Sequence, residues 1–300
     1  MKLKISNVLI LHFTVLIWGF TGILGALISI NEVHLVWYRV GIAAITLYLY
    51  FKIKGVNFRI PKDEFIRIFI TGGIVGLHWI LFFGSIKAST VSVGIVCLSS
   101  LTLFTALLEP LFKAKSISFL EICIGMLIIL GVYMIFKFET QYKIGILMGI
   151  SSAFCASIFS IINSKLIKKN SATVITFYEM SGAFFWISLY LLLSGGFNSG
   201  LKLNTKDFAY LMLLSTVCTS FAYVLGVGVM KELTAFRVAL VTNLEPIYGI
   251  VLALIIFGKT EQMTSGFYTG ASIILGTVFM YPIIKSKIEK RKLSKRTPLY

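Results

Sequence analysis

The sequence predicts an all-α polytopic membrane protein, with ten transmembrane helices laid out as two inverted five-helix repeats. Three observations predict it. A chain of 300 residues that is 57% hydrophobic and only 13% charged, with a mean hydropathy of +0.92, carries more apolar surface than one water-soluble core can bury. The run from Ser85 to Ser118 aligns without a gap on the run from Val229 to Gln262 at an offset of 144, placing Lys87 over Lys231, Thr90 over Thr234 and Lys115 over Lys259. One residue of slippage later, Ile128–Ile129–Leu130–Gly131 matches Ile273–Ile274–Leu275–Gly276. The third observation is the unequal sharing of basic residues between alternate loops.

The first span reads from 8 to 29, an uncharged run about as long as the roughly 20 residues needed to cross the hydrocarbon layer. Apolar runs then recur at 33–53, 66–86, 91–112 and 118–137, and again at 144–164, 172–194, 207–229, 235–257 and 264–284. They are continuously apolar rather than alternating with a period of two, so helices are expected and not a barrel. Connections are short and leave no room for a soluble domain. The predicted division is a first repeat at 1–141, a second at 142–284 and a basic cytoplasmic tail at 285–300.

The formal charge of +16 raises nucleic-acid binding only to exclude it. With the N-terminus in the cytoplasm, cytoplasmic segments collect 20 Lys and Arg, from Lys2 through Lys52, Lys113, Lys165 and Lys231 to the tail Lys285–Arg296, against 6 in external loops. That is the positive-inside bias, so the basic excess reports topology. The tail is also suited to anionic lipid heads. An even number of spans puts both termini inside, and an odd number per repeat inverts the second copy.

A secretory signal over residues 1–29 is the alternative for the N-terminus, but the apolar run is too long and ends without a small-x-small cleavage site. Cys97, Cys123, Cys155 and Cys218 fall inside spans without CxxC spacing, so they read as small core residues and not as metal ligands or disulfides. Gly19, Gly22 and Gly25 line one face of the first span. The pairs Gly145/Gly149 and Gly266/Gly270 form GxxxG faces suited to close helix contact within the bundle or to a homodimer.

Ionisable groups inside these runs are the candidate site, because a charge at the bilayer centre costs about 2.5–3.5 kcal/mol on the insertion scale. Glu245 lies near the middle of the ninth span in Thr242–Asn243–Leu244–Glu245–Pro246. Pro246 removes the hydrogen bond to the Thr242 carbonyl, so the helix is expected to break beside a carboxylate, as a substrate or proton site requires, with Asn243 at the bend. The alternative role for Glu245 is a hydrogen bond to a neighbouring helix. Arg39, in the second span, either clamps a substrate carboxylate or snorkels to the external interface. Glu179 aligns with Arg39 in the inverted repeat when Trp37–Tyr38 is set over Phe177–Tyr178. Glu109 ends a polar stripe of Ser92, Ser99, Thr102 and Thr105 on the fourth span, where it serves the pathway or pairs with Lys113 one turn on. His78 is either a proton relay or a satisfied hydrogen-bonding residue. Among aromatics, Trp18 and Tyr178 are the better pocket candidates because they lie near these polar groups.

Ten spans in two halves, an Arg early in the second helix, and the block SIKASTVSVGIVCLSSLTLFTALLEPLF with its echo MKELTAFRVALVTNLEPIYGIVLALIIFGK resemble the EamA-type exporters of the drug/metabolite transporter superfamily. The resemblance covers residues 5 to 284. It implies a secondary carrier in a bacterial inner membrane, with a central cavity lined by both halves, exporting amino acids or other small metabolites. Pro246 matches a proline that family members often carry, whereas Thr102 stands in the first-half counterpart. Lys115 and Lys259 occupy positions where the family tends to place a Glu.

Three classes of function follow. A carrier for a small-molecule solute, with protons as the candidate coupling ion at Glu245, accounts for the inverted duplication. A channel or receptor accounts for the helices alone. A membrane-embedded enzyme is disfavoured, since the sequence holds no HExxH, no Walker loop and no clustered nucleophile, and no cofactor is implied.

Overall fold

Each apolar run becomes a helix because backbone groups in hydrocarbon have no partner except their own chain. The computed structural model describes residues 6–112 and 119–294. The first repeat contributes α1 (Asn7–Leu27), α2 (Glu32–Lys54), α3 (Lys62–Ala88), α4 (Val91–Leu98), α5 (Leu101–Phe112) and α6 (Phe119–Phe138). The second contributes α7 (Lys143–Leu166), α8 (Ala172–Leu193), α9 (Thr205–Ser215), α10 (Ala222–Val229), α11 (Ala235–Thr242), α12 (Glu245–Phe257) and α13 (Ser265–Ser294). Nine spans among the described residues are long and apolar enough to cross a membrane, with the apolar helix Cys123–Phe138 beside them.

The duplication extends to the helix caps. Thr90 Oγ1 accepts the Val93 amide of α4 and Thr234 Oγ1 accepts the Arg237 amide of α11, each at 3.2 Å. These threonines are the aligned pair of the two repeats, and each satisfies an otherwise orphaned amide at a helix start.

Two spans are interrupted, the ninth as Pro246 leads one to expect and the fourth against the expectation of a continuous helix. The fourth is broken at Ser99–Ser100, between α4 and α5, and the ninth at Asn243–Leu244, between α11 and α12. Both breaks fall at the same register, since 99 + 144 = 243 and 100 + 144 = 244. Pro246 therefore accounts for one break only. The first repeat bends without a proline there, and the Ser100 hydroxyl holds its turn by donating to the Cys97 carbonyl at 2.6 Å. The eighth span is also not uniform: Thr216–Phe221 winds as a π-helix between α9 and α10.

Small residues set the crossings. A Cβ added to Gly72 of α3 would sit 2.3 Å from the Glu179 carbonyl oxygen, and one on Gly182 of α8 would sit 2.3 Å from the Phe69 carbonyl oxygen. The GxxxG glycines are used inside the bundle: Gly145 and Gly149 meet Ser85, Ser89 and Cys97, while Gly266 and Gly270 meet Phe138, Ile135 and Gly131. Contact with backbone at this range is open to glycine alone. Thus α6 and α13, the last helix of each repeat, pack on one another, while α3 is held between α7 and α8.

Cys97, Cys155 and Cys218 are buried as expected, but Cys123 is exposed on α6. Lys113, Lys115 and residues 295–300 of the tail lie outside the described residues. The last helix continues ten residues past the expected end of its span, from 284 to Ser294.

Candidate functional site

A cavity of about 90 Å³ lies between the two repeats, lined by Trp18, Arg39, His78, Trp79, Phe159, Asn163, Tyr223 and Glu245 among others. That volume suits a small solute.

Arg39 is 1% exposed, so it does not snorkel to an interface. Its Nε donates to Thr219 Oγ1 at 2.7 Å, and its guanidinium lies 3.9 Å over the Trp79 ring and 5.4 Å from that of Phe83. Desolvated cation–π contact of this kind is worth about 2 kcal/mol. Its Nη1 has no hydrogen-bond partner among the described residues. The π-helix makes the anchoring possible: Thr219 Oγ1 donates to the Leu214 carbonyl five residues back at 2.8 Å, and so accepts from Arg39 with its lone pairs. The neighbouring Ser220 hydroxyl does likewise with the Ser215 carbonyl at 2.9 Å. A regular helix would rotate Thr219 out of this register, consistent with the frequent placement of π-bulges at sites.

Glu245 is 4% exposed and opens α12 at the break in the ninth span. It lies in electrostatic range of Arg39, yet the described residues contain no ion pair between them. One charge from each repeat therefore faces one cavity, and neither is cancelled by direct contact. A buried charge left this way is expensive unless something else completes it.

The remaining candidates are distributed differently. His78 lines the cavity, while its Nδ1 lies 2.8 Å from Ser152 Oγ and 3.0 Å from the Ser152 carbonyl. Trp18 lines it as well, and closes onto Gly226, where a Cβ would come within 2.7 Å of the indole. Asn243 sits at the ninth-span break and donates through Nδ2 to Thr102 Oγ1 at 2.5 Å and to the Ala239 carbonyl at 2.7 Å, tying the two broken spans together. Pro246 lines a smaller adjoining pocket.

Three candidates lie off the cavity. Glu179 is 0% exposed and sits behind its wall, where Asn163 Nδ2 donates to it at 3.3 Å; Asn163 also reaches Tyr223 OH at 3.3 Å. Symmetry-related position thus does not make it a second cavity charge beside Arg39. Tyr178 donates to the Phe58 carbonyl at 3.1 Å and packs against Phe65 and Phe177, so the sequence neighbourhood that suggested a pocket role places it in a loop-facing aromatic cluster. Glu109 accepts the Phe236 amide at 3.2 Å at the start of α11, a favourable place for a carboxylate. Its expected partner Lys113 is outside the described residues. Sequence reading did not single out Thr219 or Asn163; the available signal was uncharged polar residues inside apolar runs.

At one end of the bundle Lys87 Nζ donates to the Ile28 carbonyl at 2.9 Å and also to the Ile30 carbonyl, Ser29 bonds Asp207 through its amide and hydroxyl at 2.9 and 2.5 Å, and Glu261 accepts the Val91 and Ser92 amides at 2.9 Å each. At the other end a vestibule of about 320 Å³ is lined by Ser164, Lys165, Lys168, Glu232 and Met230. Met230 lines the central cavity too, so the two spaces share that side chain. Among the described residues there is no cluster of three or more His, Cys, Asp or Glu suited to a metal ion.

Two inverted five-helix halves around a charged cavity define a multi-pass membrane transporter. The chain belongs to the EamA-like transporter family, whose profile matches residues 5–137 and 143–283, one match per repeat. It is 24% identical over 293 residues to a Bacillus subtilis (strain 168) protein called "Uncharacterized transporter YdfC", covering 94% of this chain and 93% of that one. It also resembles a solved structure named only "Crystal structure of protein", with a TM-score of 0.69 at 13% identity, covering 93% of this chain and 98% of that one. This last likeness speaks to the fold alone.

Proposed function

We propose that the protein is a secondary carrier that exports a small zwitterionic solute, of the size and charge of an amino acid, across a bacterial inner membrane by alternating access. The observation that carries this reading is the Arg39 and Glu245 pair, contributed by opposite repeats and facing one aromatic-lined cavity without a direct ion pair. A carboxylate of the solute meets the free Nη1 face of Arg39 in a charge-assisted hydrogen bond, and its ammonium completes Glu245. Trp18, Trp79 and Tyr223 supply apolar walls for the rest.

Alternating access is supported by the inverted repeat and by a vestibule at one end that shares Met230 with the central cavity. With both termini in the cytoplasm, as the basic loops imply, the vestibule faces the cytoplasm and the cavity loads from within, as export requires. An inverted repeat lets the opposite state form by exchanging the roles of the two halves. The protein acts without catalysis and draws its energy from a gradient.

The experiment is flux of labelled amino acids in proteoliposomes containing the purified full chain. Uptake or efflux of a zwitterion is expected, with loss in Arg39→Ala and in Glu245→Gln. Flux that both variants retain at the wild-type rate would refute the site, and movement of inorganic ions at channel rates would replace the carrier reading with a channel.

A further inference from the structure

We propose that the small pocket where the two broken spans cross is a binding site for a monovalent cation of sodium's size. The pocket has a volume of about 10 Å³ and is lined by Ser99, Thr242, Asn243, Glu245, Pro246 and apolar side chains. That is room for one water-sized particle.

Its polar lining is rich in acceptors that lack donors. Ser99 Oγ and Asn243 Oδ1 are buried and have no hydrogen-bond partner among the described residues. The orientation of the Asn243 amide is fixed, because a reversed amide would turn its oxygen onto the Ala239 carbonyl that Nδ2 now meets at 2.7 Å. Glu245 adds a carboxylate that receives no hydrogen bond from the described residues. Pro246 has no N–H to offer the Thr242 carbonyl.

The backbone reinforces this field. Both α4 and α11 end here, at Leu98 and Thr242, and α5 and α12 begin here, at Leu101 and Glu245, so the helix dipoles offset one another and the backbone contribution is the Leu98 and Thr242 carbonyls, which no backbone N–H of the described residues takes. Interrupted membrane helices that end together beside a carboxylate make a cation site by general electrostatics.

The chemistry selects the ion. A proton on Glu245 supplies one donor and leaves the Ser99 and Asn243 oxygens unmatched. A divalent ion favours more carboxylates than the single one present, and potassium, about as large as a water molecule, takes longer contacts from more oxygens than this lining offers. Sodium fits the space and takes several neutral oxygens with one carboxylate. Glu245 lines both this pocket and the central cavity, so cation and solute share one carboxylate and each alters the affinity for the other. The cation site stands on geometry; its role as driving ion rests on the carrier reading above.

The test uses the purified full chain in nanodiscs without solute, melted in sodium, potassium or choline chloride at equal ionic strength, together with equilibrium binding of radioactive sodium. The expected result is a saturable rise of Tm with sodium alone and bound radioactive sodium that unlabelled lithium or sodium displaces. Ser99→Ala removes one small oxygen with little packing change and is expected to weaken the sodium response several-fold, and Glu245→Gln to abolish it. Equal melting in all three salts, with no bound sodium, overturns the proposal in favour of a buried water. If sodium stabilises the protein but no solute moves under any gradient, the cation site stands and the carrier reading falls. If solute moves at a rate indifferent to a sodium gradient, the driving role falls.

Discussion

Replacing Thr219 by Val tests whether the π-helical segment exists to hold Arg39. The substitution keeps the shape and removes one hydroxyl, which accepts from Arg39 Nε at 2.7 Å and donates to the Leu214 carbonyl at 2.8 Å. Arg39 is 1% exposed, so bulk water does not replace the lost acceptor. A hydrogen bond to a charged group contributes about 1.5–3 kcal/mol, and at about 1.4 kcal/mol per decade this bounds the loss of apparent solute affinity at roughly 10- to 100-fold. The assay is the concentration dependence of amino-acid flux in proteoliposomes, beside Thr219→Ser, which keeps the hydroxyl and is expected to restore most of the affinity. Wild-type affinity in Thr219→Val, or equal damage in Thr219→Ser, refutes the reasoning.

Two further predictions concern the frame. Glu261→Gln weakens a carboxylate that accepts two amides at the start of α4, and is expected to destabilise the fold by about 1–3 kcal/mol, read as a lower thermal midpoint in detergent; an unchanged midpoint would remove this contact from the account. Gly182→Val places a side chain 2.3 Å from the Phe69 carbonyl oxygen and is expected to cost about 1–3 kcal/mol by overpacking, with α3 and α8 forced apart. Cross-linking of cysteines introduced on the facing surfaces of those helices would detect the separation, and undiminished cross-linking would count against it.

Much of the candidate site was readable because lipid penalises charge so heavily. Arg39, Glu245 and His78 stand out of apolar runs, and all three line the central cavity. Glu179 and Glu109 stand out by the same logic but lie off that cavity, where Asn163 donates to one and a helix-start amide to the other. Tyr178 and Trp18 look alike in sequence, yet one faces a loop carbonyl and the other the cavity. The break at Ser99–Ser100 left no proline to mark it; its only trace was its register with Asn243–Leu244.

The sequence by itself determined the solvent, the helices, the duplication and which charges required company, because these follow from hydropathy, chain length and a fixed offset of 144 residues. Only the tertiary structure decided which charges share a space. That depends on helix rotation and crossing distance, set by glycine contacts such as Gly72 on the Glu179 carbonyl and by the π-turn that aims Thr219 at Arg39. Both are relations between residues more than a hundred positions apart, and no local pattern encodes them.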